Sequence, residues 1–417
     1  MKKLLCSLGI TLINVSTASS LIAAAPNDKQ EIKLEENNKK NGEKTNNLEK
    51  LSIKKIQPSL DLKQIIDKIT IHLSNLRDPE NKYAVLVPDG RLIPNRDFTF
   101  WEWTTGVGLY GIMRSYKVTK EEKYLKIIID WFRGQEGKNI EKNINTMSLI
   151  LTLCDLYEIT SEQKYLDMIK EWANWLVTKL PRTKENGFQH VVYASINENQ
   201  LWADTLMMSV LTLARIGKLL NNDSYKEEAK YQLLLHVKYL FCKNKKLWFH
   251  GWTFNEENNF SGAYWGRANA WPLITIPELI SILELKENDA IRLFLEEILK
   301  NHVESLEKYQ DKKTGLWHTL LNDDESYLET SCTAGFAYGI QKSIKANLVD
   351  KKYQKVVDLA IKGILDNVTE EGALLNVSGG TPVFNDLEQY KKVIVGDYPY
   401  GQSMAILALV EYNSKNK

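Results

Sequence analysis

The chain has 417 residues, enough for one large or two ordinary domains. Its 54 lysine and arginine residues are balanced by 53 aspartate and glutamate residues, so the basic excess typical of nucleic-acid-binding proteins is absent. Eleven Trp and nineteen Tyr favour a large aromatic core or a cleft that stacks on ring-shaped ligands.

The N-terminal segment has the layout of a secretory signal peptide. Lys2 and Lys3 precede an apolar run at 4–15, and small residues follow up to a cleavage site near Ala24. We therefore predict a signal peptide at 1–25 and a protein that is secreted or associated with the cell surface. Residues 26–58 are rich in Lys, Glu and Asn, which predicts a flexible charged linker before a single domain at 59–417. The sequence has no later run of eighteen apolar residues, so stable membrane insertion is not expected.

From residue 60 onward, two kinds of helical pattern alternate. One kind is charged on one face, as outer helices are, and the other is apolar nearly all round, as buried helices are. The amphipathic patterns lie at 60–77, 120–134, 162–180, 224–242, 287–309 and 351–368, and the apolar ones at 101–116, 146–159, 200–219, 267–283, 328–345 and 400–411. Strand patterns are short, at 187–192 and 247–249. This alternation predicts an all-α fold, an (α/α)6 barrel of six helical hairpins, with an open α-solenoid as the alternative.

Two features favour the closed ring over the solenoid. The hairpins number six, and aromatic and polar residues concentrate at the starts of the apolar helices. Inner helices of such a ring run parallel, so these starts meet at one mouth. The positive ends of six helix dipoles also meet there, which favours an anionic ligand.

Asp204 is the only acid in the apolar and aromatic stretch 200–208. Loss of hydration there is expected to raise the pKa of its carboxyl toward the range useful for proton transfer. The alternative is an aspartate that caps backbone amides or pairs with an arginine. His190 and His250 each close a loop, and either could donate to a hydroxyl or carboxylate near Asp204 or serve the structure alone.

Arg267 lies between Trp265 and Trp271 in a second informative motif. Its planar guanidinium suits a carboxylate, and the two indoles could stack on a sugar ring. The alternative is a buried arginine that ties loops together.

A glycosidase ordinarily needs two carboxylates flanking the bond that it breaks. The second apolar helix begins near Asn145, which cannot titrate. Glu102 and Glu329 remain possible partners for Asp204, although each equally suits the start of a helix, where a negative charge is favourable. Neither the cysteines nor the histidines show a metal-ligand spacing, so we predict no metal and no cofactor.

A series of motifs spans nearly the whole chain. They lie at 103–111, 200–208, 250–252, 265–271, 310–317, 327–339, 380–381 and 400–411. In this order and spacing, residues 60–412 resemble the unsaturated uronyl hydrolases of glycoside hydrolase family 105 and its sister family 88. The prototype activity of that family is unsaturated rhamnogalacturonyl hydrolase.

The resemblance implies an (α/α)6 barrel that releases a non-reducing-end 4,5-unsaturated uronic acid, galacturonyl or glucuronyl, from the oligosaccharides that polysaccharide lyases produce. It also implies hydration of a vinyl ether, with Asp204 as general acid/base that protonates C4 and then activates water for addition at C5. Arg267 and the two histidines would hold the substrate carboxylate, with Trp265 and Trp271 as platforms for the sugar ring.

The remaining predicted substrate-binding residues are Trp103, Asn145, Gln200 and Tyr400. Asn145 departs from the family pattern, since several relatives have a second aspartate there. Two other hypotheses stay open: an inverting glycosidase of another α/α toroid family, with Asp204 and either Glu102 or Glu329, and a non-catalytic carbohydrate-binding protein. The oligomeric state is left open.

Overall fold

The computed structural model describes residues 61–414, so the predicted signal peptide at 1–25 and linker at 26–58 lie outside the described residues. The described chain is mostly helical. Its thirteen α-helices are α1 (Leu62–Asn75), α2 (Trp103–Thr119), α3 (Glu122–Arg133), α4 (Ser148–Thr160), α5 (Gln163–Thr178), α6 (Leu211–Leu219), α7 (Asp223–Leu240), α8 (Gly266–Ile282), α9 (Ala290–Tyr309), α10 (Thr330–Lys345), α11 (Gln354–Leu365), α12 (Leu387–Lys391) and α13 (Pro399–Asn413).

Six of these helices form a closed inner ring. In order they are α2, α4, α6, α8, α10 and α13; each contacts the next, and α13 contacts α2. The outer helices α3, α5, α7, α9 and α11 each pack on the inner helix that precedes them, and α1 packs on α13. The predicted (α/α)6 barrel is therefore confirmed, and the open solenoid is wrong.

The burial pattern explains why the helices divide into two layers. The inner helices are apolar nearly all round, and α13 is buried along almost its whole length, from Pro399 to Glu411. Outer helices such as α3 bury one apolar stripe and expose the opposite face. Glycines allow the closest approaches between inner helices: a Cβ on Gly111 would lie 2.3 Å from Oγ of Ser403 on α13.

Ten short strands, paired in five antiparallel ribbons, decorate the ends of the described helices. They are β1 (Ala84–Leu86), β2 (Leu92–Pro94), β3 (Gln200–Trp202), β4 (Phe241–Cys242), β5 (Leu247–Trp248), β6 (Gly251–Thr253), β7 (Trp317–His318), β8 (Leu328–Glu329), β9 (Val377–Ser378) and β10 (Val395–Gly396). Strand β5 confirms the strand pattern at 247–249, whereas 187–192 forms only isolated bridges.

The start of the third inner helix differs from the sequence prediction. Residues 200–202 form strand β3 rather than helix, because they pair with β6. The helix begins at Asp204 and passes through a π-helical turn, Leu206–Val210, before α6. A π turn holds one residue more than an α turn and often occurs at functional sites.

The opposite, C-terminal ends of the inner helices carry an alternating ring of charges, which we call the floor ring. Each inner helix contributes one charged residue, and the signs alternate around the barrel: Arg114, Asp155, Arg215, Glu278, Lys342 and Glu411. Neighbours pair at 2.9 Å (Arg215–Asp155), 2.6 Å (Lys342–Glu278) and 2.7 Å (Arg114–Glu411). The side chains of Asp155, Glu278 and Glu411 are nearly buried, so these charges depend on one another for stabilisation.

A second cluster joins the first and last hairpins. Asp397, before α13, accepts hydrogen bonds of 2.8 Å from Nε of Arg96 and from Nε2 of His72 on α1. These bonds lie where the chain closes its circle. None of the helices among residues 61–414 is long and apolar enough to cross a membrane.

Candidate active site

The starts of four inner helices surround a cavity of about 210 Å³. The lining residues that come from these starts are Glu102, Trp103, Asn145, Asp204, Met208 and Arg267. The predicted meeting of inner-helix starts at one mouth is therefore confirmed for four of the six helices, whereas the starts of α10 and α13 do not line this cavity.

Loops and one hairpin form the rest of the wall. The hairpin β1–β2 contributes Val85, Val87 and Ile93, the segment 190–197 contributes His190 and Tyr193, and residues 380–382 close another side. The hairpin and Tyr193 were not predicted as parts of the site, since neither lies at a helix start. Alternation of apolar residues around an Asp-Gly turn at 89–90 was the available signal for the hairpin.

Paired strands position Asp204. Trp202 of β3 pairs with Gly251 of β6, and the next residues, Ala203 and His250, are joined by a backbone hydrogen bond of 3.0 Å. Asp204 follows β3 and His250 precedes β6, so the antiparallel register brings the two side chains together. Their contact, Nε2 of His250 to Oδ2 of Asp204, measures 3.1 Å.

Two donors hold the Asp204 carboxylate. Nε1 of Trp271 donates to Oδ1 at 3.0 Å, and His250 contacts Oδ2. Burial raises the pKa of Asp204, but the hydrogen bond from His250 and the positive charge of Arg267 outweigh burial, and the pKa lies below its usual value. The predicted upward shift is therefore wrong in the free protein, because these partners stabilise the carboxylate.

A directed chain of hydrogen bonds supports His250. Burial lowers the pKa of His250, so the ring is neutral near pH 7. Its Nδ1 lies 2.8 Å from Oη of Tyr390, which accepts from the backbone N–H of Phe384. One tautomer satisfies every partner: Tyr390 donates to Nδ1, and Nε2–H donates to Asp204. Tyr390 was missed because it lies 140 residues from His250 in sequence.

Arg267 is buried and forms no ion pair with any carboxylate among residues 61–414. Its Nη atoms donate to the backbone carbonyls of Ser378 and Gly379 at 2.9 and 2.7 Å, and its Nε has no hydrogen-bond partner within residues 61–414. The guanidinium carbon lies 4.3 Å from the ring centre of Trp265 and 4.7 Å from that of Tyr400. The arginine ties loops together, as the alternative reading held, and also presents positive charge at the cavity wall.

The prediction that Trp265 and Trp271 are platforms for a sugar ring is wrong, because both side chains are buried. The side chains of Trp265 and Trp271 are 1% and 0% exposed and do not line the cavity, so neither can stack on a sugar where it lies. Trp265 instead packs on Arg267 and Trp271 serves Asp204. Trp103 and Trp202 are the tryptophans that line the wall.

The other predicted binding residues take several positions. His190 lines the cavity, stacked on Trp202 at 4.4 Å, and burial lowers its pKa to about 3. Gln200 lies outside the cavity and accepts a hydrogen bond from Nε1 of Trp202 at 2.9 Å. Tyr400 is fully buried behind Trp103, stacked on it at 4.4 Å. These two position wall residues rather than meet a ligand.

The two possible partner acids behave differently. Glu102 lines the cavity, and its Oε1 accepts from Nδ2 of Asn145 at 2.9 Å. Glu329 does not line the cavity; it accepts from the backbone N–H groups of Ser331, Cys332 and Ser378. Glu329 is thus a structural cap, and only Glu102 shares the cavity with Asp204. No group of three His, Cys, Asp or Glu in the described chain is arranged to hold a metal ion.

Comparisons with known proteins agree with this architecture. The model of the family described as Glycosyl Hydrolase Family 88 matches residues 78–415. The unsaturated rhamnogalacturonyl hydrolase YesR of Bacillus subtilis is 34% identical over 320 residues, which cover 75% of this chain and 89% of that protein.

Two solved structures are similar along nearly their whole length. One, a possible member of family GH105 from Salmonella enterica, superposes with a TM-score of 0.84 at 44% identity, covering 87% of this chain and 97% of that chain. Another possible GH105 member, from Klebsiella pneumoniae, gives 0.83 at 42% identity, covering 87% and 96%.

Proposed function

The chain belongs to glycosyl hydrolase family 88, and on that premise we propose that it releases the non-reducing-end 4,5-unsaturated uronic acid from oligosaccharides produced by polysaccharide lyases. The resemblance to the uronyl hydrolases of families 105 and 88 is confirmed by the match over residues 78–415. The protein is a glycoside hydrolase, so the hypothesis of a non-catalytic binding protein is set aside.

The observation that carries the proposed chemistry is the position of Asp204. It lines the cavity at the inner-helix starts, and both of its oxygens are oriented by donors, Trp271 and His250. A carboxyl held in a fixed orientation on the cavity wall is what proton transfer to a sugar carbon requires. We assign Asp204 the role of general acid/base.

Arg267 supports an anionic substrate. Its charge meets no described carboxylate in an ion pair, and its buried Nε lacks a partner. A uronate carboxylate entering the cavity would be attracted by this charge and by the positive ends of the inner helices. Negative charge close to Asp204 would also raise the pKa of Asp204, so substrate binding and protonation of the acid favour one another.

In the proposed reaction, protonated Asp204 gives its proton to C4 of the vinyl ether, and positive charge develops at C5 and the ring oxygen. The Asp204 carboxylate then takes a proton from water, whose hydroxyl adds to C5. The resulting hemiketal opens, and the aglycone leaves as an alcohol. Because Asp204 is ionised in the free protein, kcat/KM is expected to rise with falling pH by the uptake of one proton.

The choice between galacturonyl and glucuronyl has a chemical answer. These sugars differ only in configuration at C4, and C4 is trigonal once the lyase has introduced the double bond. The unsaturated ring is therefore the same from either source. The selectivity of the protein must lie in the anomeric linkage and the aglycone, so unsaturated disaccharides that differ in those two features will separate its substrates.

The decisive experiment follows the ultraviolet absorbance of the unsaturated uronate in lyase-digested pectin and glycosaminoglycan. Wild type should abolish the absorbance, and Asp204→Asn should lose about 10³-fold or more in kcat. Asp289→Asn is the matched control, since Asp289 caps α9 and asparagine caps equally well. If wild type consumes none of these lyase products, the proposal fails.

One alternative retains a structural argument. Glu102 shares the cavity with Asp204, so an inverting glycosidase with these two carboxyls is the second candidate. Release of reducing sugar from saturated uronic oligosaccharides, without any ultraviolet change, would favour it.

We also propose that the protein works outside the cytoplasm, on the basis of the charged, apolar and small-residue order at 1–25. N-terminal sequencing of the protein recovered from the culture medium tests this. A first residue beyond Ala24 supports secretion, and intact Met1 in the cytoplasmic fraction contradicts it.

A further inference from the structure

Two glutamates occupy the same position in the helical architecture but use their side chains differently. Glu102 and Glu329 each immediately precede an inner helix, α2 and α10, in extended backbone conformation. Glu329 caps its helix by accepting from the N–H groups of Ser331 and Cys332. Glu102 makes no cap hydrogen bond to the second or third residue of its helix; the backbone N–H of Trp103 is the helix-start group that stabilises its carboxyl, which lines the cavity. Helix capping therefore does not explain Glu102.

One oxygen of Glu102 is unused. Asn145 donates to Oε1, whereas Oε2 is buried and has no hydrogen-bond partner in residues 61–414. Glu102 is only 3% exposed. A buried polar atom without a partner is costly and rare, so Oε2 calls for a ligand atom in the cavity that it lines.

The surroundings favour the neutral form of this carboxyl. The titratable groups that face it are Tyr193 and Glu141, with Asp204 and Arg267 also on the cavity wall. No lysine or arginine of the described chain forms an ion pair with Glu102. Arg91 forms its ion pair with Glu141. Burial raises the pKa of Glu102 to about 8, so it keeps its proton at neutral pH.

We propose that protonated Glu102 is a substrate-binding residue, whose Oε2–H donates a hydrogen bond to an oxygen of the unsaturated uronate while Asn145 holds Oε1. This inference rests on the proposed function. With Asp204 ionised opposite one arginine, a second ionised carboxylate would make the cavity repel an anionic sugar. A neutral carboxyl adds a donor without adding negative charge.

This arrangement explains why an asparagine at position 145 is suitable. Its amide can only donate to Oε1 through Nδ2, which leaves the proton of Glu102 on the other oxygen. An aspartate at position 145 would compete with Glu102 for that proton and would add a negative charge to the cavity.

The test measures kcat/KM against pH for wild type, Glu102→Gln and Glu141→Gln. In wild type and in the Glu141→Gln control, the fall of kcat/KM with rising pH should steepen by a second proton near pH 8. Glu102→Gln should lack this second step, because glutamine presents a neutral acceptor and donor at every pH. An unchanged second step in Glu102→Gln overturns the proposal.

Glu102→Ala supplies an independent readout. Loss of one substrate hydrogen bond, worth about 1–3 kcal/mol, should raise KM roughly 5- to 150-fold with a smaller change in kcat. An unchanged KM in a variant with the wild-type melting temperature contradicts substrate binding by Glu102. If wild type itself acts on no unsaturated oligosaccharide at any pH, the proposed function fails rather than this assignment.

Discussion

The two ends of the barrel bury the same kinds of charged group with opposite results. At the floor ring, burial raises the pKa of Glu278, but the charges of Lys342 and Arg114 outweigh it and leave the pKa low. At the mouth, burial raises the pKa of Glu102 to about 8, because no cation offsets it. Burial alone thus does not fix the protonation of a carboxyl; the partner that the fold supplies decides.

The difference also separates stability from chemistry. Every acid of the floor ring has a cation within 3 Å, so the charge of each acid is already compensated. At the mouth, Oε2 of Glu102 and Nε of Arg267 are buried without described partners. Groups left unsatisfied in this way cost stability and are available for binding.

The largest contrast should come from one matched exchange at each end. Asp155→Asn at the floor removes the acid that Arg215 and Lys117 share, although Arg215 keeps its ion pair with Glu158, so the free energy of unfolding should fall by about 1–3 kcal/mol while kcat is retained. Asp204→Asn should do the reverse, with kcat down about 10³-fold and stability unchanged or higher. Urea unfolding and initial rates measure both, and a stable Asp155→Asn protein with lost kcat would break the comparison.

Lowering the pH should weaken the ion pairs of the floor ring and so reduce the free energy of unfolding. The pKa of Glu278 lies below its usual value in the folded protein, so its contribution to stability is present above about pH 4.5 and is lost as pH falls through the folded pKa. At pH 7, Glu278→Gln should lower the free energy of unfolding by about 2–4 kcal/mol. Denaturant unfolding at pH 7 and below pH 4 should show this deficit shrinking with acid; a deficit that is independent of pH would contradict the ion-pair explanation.

Raising the pH should reduce the free energy of unfolding through Glu102 at the mouth of the barrel. The raised pKa of Glu102 means that the folded protein holds a proton that the unfolded chain releases, so this contribution is complete below about pH 4.5 and is lost as pH rises through 8. Glu102→Gln should therefore be more stable than wild type at pH 9, by about 3–5 kcal/mol. Thermal melts at pH 6 and pH 9 measure the gain, which should be smaller at pH 6.

The smallest effect is expected from Tyr390→Phe. The phenol donates to Nδ1 of His250 and so fixes the tautomer that serves Asp204. Its loss should lower kcat about 3- to 10-fold and leave KM nearly unchanged, because the phenol does not line the cavity. A rise in KM alone would place Tyr390 in substrate binding instead.

The fold could be predicted from the sequence because the relevant signal is local. Helices that are apolar on every side must be buried, and their alternation with amphipathic helices leaves few arrangements. The error at 200–202 has the same origin: these residues form β3 only because β6, some fifty residues later, pairs with them.

The residues that form the site could be predicted from the sequence more readily than the role of each residue. Asp204 and Arg267 stood out as single charges at the starts of apolar helices. Whether a tryptophan faces a cavity or the core depends on its neighbours, so Trp265 and Trp271 were misassigned as platforms. The direction of the pKa shift of Asp204 likewise depends on His250, which lies 46 residues away in sequence.

The floor ring has one further consequence, which concerns parity. Signs can alternate around a closed circle only when the number of members is even. A barrel that closed with five hairpins, or that took up a seventh from another chain, would set two like charges side by side in a buried layer. The alternation of the six charges from Arg114 to Glu411 is thus compatible with closure by an even number of hairpins, as in this barrel of six.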